Sequence, residues 1–176
     1  MGEVVYIREF TKGRAVRRVK DLWRAYFPEE LTGRTRLEDL SLETLLTLAR
    51  LEQKMMTVVY ELIMGILGLG PKSKFQNLSG EPKMKVLDAS LFFIDQIRWE
   101  CLRRLGWAQG FAGEEYTIAE LILNCRKIKE EFTPSYPRLT KTHPNYEDFS
   151  RHHGIEGEAM VRSLIPAALA ALGQTT

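Results

Sequence analysis

Glu52, Asp88 and Asp95 are carboxylates that helical periodicity turns toward apolar neighbours. Taking residues 42 to 68 as one helix at about 100° per residue, Leu45, Leu48, Ala49, Met55, Met56, Val59, Ile63 and Ile66 share a face, with Glu52 near its centre. Asp88 and Asp95, seven residues apart, are nearly superposed between Leu91 and Leu102 on one side and Phe92 and Trp99 on the other. A carboxylate so placed cannot stay bare. It must be neutral, ion-paired, hydrogen-bonded or bound to a metal.

Two chemistries follow from that constraint. The first is an internal ion pair in which Arg98 meets Asp95 or Glu52 and fixes the register of facing helices. The second is a divalent cation held by Glu52, Asp88 and Asp95, where oxygen ligands alone suit magnesium or manganese. Adding His153 or Glu156 from the last helix would suit iron, manganese or zinc. Helical bundles build metal sites in this way, from side chains on facing helices. The spacing differs from the known examples, however. Di-iron bundles use Glu-x-x-His twice, whereas this chain has one His153-x-x-Glu156 in the reverse order. Three histidines are too few for a hemerythrin-like centre. The Glu-x-x-Glu and Glu-x-x-Asp pairs of the all-helical pyrophosphohydrolases are also missing.

Other catalytic signatures are absent. There is no Gly-x-Ser-x-Gly, no Walker Gly-x-x-x-x-Gly-Lys-Ser/Thr loop and no C-x-x-C, and Cys101 and Cys125 read as buried free thiols. His152 and His153 are adjacent and so point to different faces, which leaves at most one for a core site.

The elements that must position these residues are helical. An amphipathic helix starts at Arg14 and ends before Pro28, with Ala15, Val16, Val19, Leu22, Trp23, Tyr26 and Phe27 on one face. Its other face carries Arg14, Arg17, Arg18, Lys20 and Arg24, a cationic stripe that would suit a phosphate backbone. The second helix begins near Asp39 or Ser41 and stops at Gly68-Leu-Gly70-Pro71. The third runs from about Lys83 to Gly106 and is apolar over much of its circumference, which predicts the central place in a bundle. A fourth covers about Glu115 to Phe132. The last starts near Asn145, breaks at Gly154 or Gly157 and resumes to Leu172, with a kink at Pro166. Between them, Thr133 to Pro144 contains three prolines and predicts a loop without regular structure. Val4 to Phe10, within an N-terminal arm of residues 1 to 10, is β-branched and aromatic and predicts an extended segment.

The expectation is one all-α domain of about five helices spanning residues 1 to 176. A net charge of +2 is close to balance and argues against nucleic acid as the main partner. The most apolar stretch, Met55 to Leu69, is too short to span a bilayer and contains Glu61, and no secretory signal opens the chain, so a cytoplasmic protein is expected. The apolar third helix and the small-residue run from Ala167 to Leu172 predict self-association or a protein partner. The leading functional expectation is thus a non-catalytic binding or assembly protein. A metal-dependent hydrolase or pyrophosphohydrolase using the carboxylate cluster stands as the alternative. A nucleic-acid accessory protein using Arg14, Arg17, Arg18 and Arg24 comes third.

Overall fold

The computed structural model describes residues 14–132 and 136–175. The predicted arm of residues 1 to 10 lies outside the described residues. Helices dominate the rest: α1 Arg14–Tyr26, α2 Leu42–Arg50, α3 Gln53–Ile66 and the long α4 Gly80–Arg104 precede the first strand. After β1 Ala108–Gln109 come α5 Ile118–Leu123 and α6 Cys125–Glu131; β2 Arg138–Leu139 is followed by α7 Tyr146–Ser150, α8 Ile155–Ser163 and α9 Ile165–Gly173. The all-α expectation holds. No helix among the described residues is long and apolar enough to cross a membrane.

The long α4 is the axis of the bundle, packing against α2, α3, α5, α6, α9 and β1. Its sequence explains the position: Val86, Ala89, Phe92, Phe93, Ile94, Ile97, Trp99, Cys101 and Leu102 are all buried, and they point in several directions around the helix. Phe93 and Ile97 enter a large core with Trp23, Leu45, Leu62 and Ile118. Trp99 and Leu102 enter a smaller one with Phe111, Leu139, Phe149, Val161 and Ala168.

Three of the five predicted helical spans are divided, each for a local reason. The span from 42 to 68 breaks at Leu51, whose φ of 51° is left-handed and ends α2, so that Glu52 becomes the residue preceding α3. The fourth span bends at Asn124, where ψ of 21° departs from helical geometry. The last is cut at Gly154, with φ of 57°, and again at Leu164, two residues before Pro166. The loop predicted between 133 and 144 contains β2, which pairs antiparallel with β1 through Ala108 with Leu139 and Gln109 with Arg138. Strands of two residues leave no period to read in a sequence.

Two local devices hold the helix ends. Thr117 accepts a hydrogen bond from the Glu120 N–H at 3.2 Å while the Glu120 carboxylate accepts one from the Thr117 N–H at 2.8 Å, a reciprocal cap that starts α5. At α2, Ser41 accepts from the Thr44 N–H, and Glu29 reaches across the preceding loop to take hydrogen bonds from the Ser41 N–H at 2.6 Å and the Thr44 hydroxyl at 2.7 Å. A carboxylate there also meets the positive end of the helix dipole.

Candidate functional site

Asp95, on the central helix, lies at one wall of a cleft of about 300 Å³ between α4, α6 and α8. Its neighbours along α4 are Leu91, Phe92 and Gln96; Lys129 and Phe132 come from α6 and its end, and Glu158 and Arg162 from α8. Gln96 is itself fixed, since its side-chain oxygen accepts the Gly113 N–H at 2.8 Å. The approach of α8 depends on a missing side chain. A Cβ at Gly157 would stand 2.8 Å from the Tyr136 hydroxyl, so any other residue there would have to displace the Tyr136 ring.

Arg162 organises the charged wall. It donates from Nη1 and Nη2 to the two oxygens of Asp95, both at 2.7 Å, and from Nε and Nη2 to Glu158 at 2.9 and 2.7 Å. The guanidinium also sits over the Trp99 ring, 5.2 Å from its centroid. Asp95 and Trp99 are one turn apart on α4, and Glu158 and Arg162 one turn apart on α8, so two helices each supply a pair. The hydrogen bonds to Asp95 raise the Arg162 pKa against the opposing effect of partial burial, and those to Glu158 add to the rise. A group held this way is a fixed cation and does not exchange protons near neutrality. It can position, and it cannot serve as an acid or base.

The predicted ligand set does not assemble around a metal. Glu52 is exposed, its side chain caps nothing, and it stands at the N-terminus of α3 because the helical phase is reset at Leu51. The proposed pairing of Glu52, Asp95 and Arg98 is therefore corrected: Asp95 is bound by Arg162, while the Nε of Arg98 is buried with no hydrogen-bond partner among the described residues. Asp88 is engaged by Arg126, whose Nε lies 3.0 Å away and which also pairs with Glu81. His153 and Glu156 are exposed, on either side of the Gly154 break. Among the described residues, no three His, Cys, Asp or Glu side chains gather closely enough to hold a metal ion.

The basic stripe of α1 is partly spent on internal pairs. Arg18 donates to Glu61 at 3.2 Å and Arg24 approaches Glu30 at 3.7 Å, while Arg17 is exposed. Arg14 is the first residue of the helix.

Two buried carboxylates escaped the sequence reading, Glu120 in the cap of α5 and Glu100 on α4. Glu100 is completely buried and clamped by both following arginines: Arg103 donates to its two oxygens at 2.7 Å each, and Arg104 at 2.9 Å. Arg104 extends the clamp by donating to the carbonyls of Leu37 and Leu40 at 3.1 and 2.6 Å, which ties the 3-10 turn at Leu37–Asp39 to α4. The signal was present in the spacing, with a carboxylate three and four residues before two arginines. Next to it, burial and the charge of Glu100 push the Cys101 thiol up to about 12, and burial also raises Cys125. Neither thiol is an activated nucleophile.

No protein-family model, curated protein or solved structure matches this chain.

Proposed function

We propose that the chain is a non-catalytic binding and assembly protein that pairs with a second copy of itself through the outer face of α4. The observation that carries this reading is Leu91. It is 68% exposed in the middle of the helix that supplies much of the core, and Met84, seven residues earlier on the same face, is 48% exposed. Beside Leu91 opens the cleft walled by Phe92 and Phe132, a seat for an apolar side chain from a partner.

The charges of that face suit a second copy. Glu81, Asp88, Asp95 and Glu158 are set against Arg126, Lys129 and Arg162, and most of them are already paired with one another. Two nearly neutral faces meet without strong repulsion, and a two-fold arrangement would let each Leu91 enter the other cleft. Engagement of Asp88 and Asp95 by arginines supports a structural role for the carboxylates that the sequence offered as metal ligands.

Light scattering of the purified full chain across a concentration series tests the reading. The expected mass is that of two chains, and Leu91→Glu should raise the dissociation constant by about tenfold or more, given roughly 1.5–3 kcal/mol for burying a leucine side chain. Circular dichroism should be unchanged in the variant. A mass of one chain at the highest concentration reached, or a dimer indifferent to Leu91→Glu, would overturn the proposal.

A further inference from the structure

A second recess, of about 200 Å³, opens beside the smaller core, where the β1–β2 ribbon meets α7. Exposed Gln109, Arg138 and Lys141 surround it, and Leu139, Tyr146 and Phe149 give it an apolar and aromatic floor. Among the described residues, no carboxylate lines it. The acids of α7, Glu147 and Asp148, are exposed elsewhere on that short helix. Among the described residues, Arg138 and Lys141 have no ion-pair partner.

The two cations are placed by backbone. Gln109 and Arg138 are direct partners across the ribbon, so their side chains stand side by side on one face. The guanidinium of Arg138 lies over Gly110: a Cβ there would be 3.7 Å from its Nε and Nη2, and the φ of +81° at Gly110 is one that other residues rarely adopt. Lys141 follows Thr140, which is tied down twice, by its N–H to the Trp107 carbonyl at 2.9 Å and by its hydroxyl to the Gly106 carbonyl at 2.7 Å. The chain then turns through His143 N–H to Thr140 carbonyl and Tyr146 N–H to His143 carbonyl, at 3.0 and 2.9 Å, which sets Tyr146 beneath the lysine turn. Arg138 and Lys141 bring two positive charges to the lining of one recess, and an anion bound between them would offset their repulsion.

We propose that this recess binds a small aryl oxyanion, with its phosphoryl or carboxylate group between Arg138 and Lys141 and its ring against Tyr146, Phe149 and Leu139. The recess has room for about one ring and one anionic group, and the aromatic floor distinguishes it from a general phosphate patch. Arg138 supplies a planar fork that can take two oxygens at once, and Lys141 adds a point charge.

Titration of the full chain followed by amide chemical shifts, with phenyl phosphate, benzoate, inorganic phosphate and phenol as separate probes, tests this assignment. Either aryl anion should bind saturably and shift the amides of Gln109, Leu139, Lys141 and Tyr146. Inorganic phosphate and phenol, each offering half of the recognised chemistry, should bind at least about tenfold more weakly. Tighter binding of phenyl phosphate names a phosphoryl ligand, and tighter binding of benzoate a carboxylate one. Arg138→Gln and Lys141→Gln should each weaken the aryl anion by about tenfold or more, while Lys127→Gln, an exposed cation on α6, should leave it unchanged. Absence of saturable binding by both aryl anions overturns the proposal, as does equal affinity in Arg138→Gln and Lys141→Gln or an equal loss in Lys127→Gln.

Discussion

At the scale of single residues, the requirement that an inward carboxylate meet a compensating group is met at Glu100 and Asp95 and does not arise at Glu52. Glu100 is clamped by Arg103 and Arg104, and Asp95 by Arg162, while Glu52 is exposed. Glu29 obeys the same rule at a helix start. Burial is the largest single influence on its pKa and works to raise it, yet the hydrogen bonds from Ser41 and Thr44 together outweigh burial and hold it below the ordinary carboxylate range. A lowered carboxylate pKa stabilises the fold above the unfolded-state pKa, and that stabilisation is lost as pH falls through the folded-state value. Glu29→Gln should therefore cost about 0.5–1.5 kcal/mol at neutral pH, and the difference from the unmodified protein should shrink on acidification through the carboxylate range. Urea unfolding at several pH values measures both; a difference that grows toward acid pH would contradict the role given to Glu29.

At the scale of elements, the decisive residue is Leu51. Leucine in the left-handed region is strained by its Cβ, and the strain is tolerated because the break lets α2 bury Leu45, Leu46, Leu48 and Ala49 while α3 buries Met55, Val58, Val59, Leu62 and Ile63. A continuous helix would carry one phase through both segments and could not serve both faces. Leu51→Val, β-branched and worse suited to positive φ, should destabilise the protein by about 1–2 kcal/mol, whereas Leu51→Asn, which tolerates that backbone, should cost less than the valine. Thermal unfolding of the two variants decides the matter. If valine is the better tolerated of the two, the backbone at Leu51 is not what sets the cost.

At the scale of the whole molecule, α4 runs through both cores and gives Phe93 and Ile97 to the larger and Trp99 and Leu102 to the smaller. Leu105 and Leu169 pack against both. One helix shared so fully should make the two cores unfold together. Trp23 reports the larger core and Trp99 the smaller. Variants retaining only one of these tryptophans, with the others replaced by phenylalanine, should each show coincident denaturant midpoints by fluorescence and by circular dichroism. A fluorescence transition in the Trp99 variant that precedes the loss of helix would show that the smaller core opens alone.

The sequence by itself determined the helical class, the central place of α4 and the amphipathic face of α1, because each rests on periodicity, and it carried the reciprocal cap that starts α5 without its being read. It also held, unread, the Glu100 clamp, which is local on one helix. Only the tertiary structure decided that Arg162 is the partner of Asp95, that Arg138 and Lys141 share a recess, and that two-residue strands join residues 108–109 to 138–139. Those pairings link segments far apart in the chain. Their geometry depends on the direction each helix takes after a break, and a break such as Leu51 follows from what the two faces must bury and not from any residue that usually stops a helix.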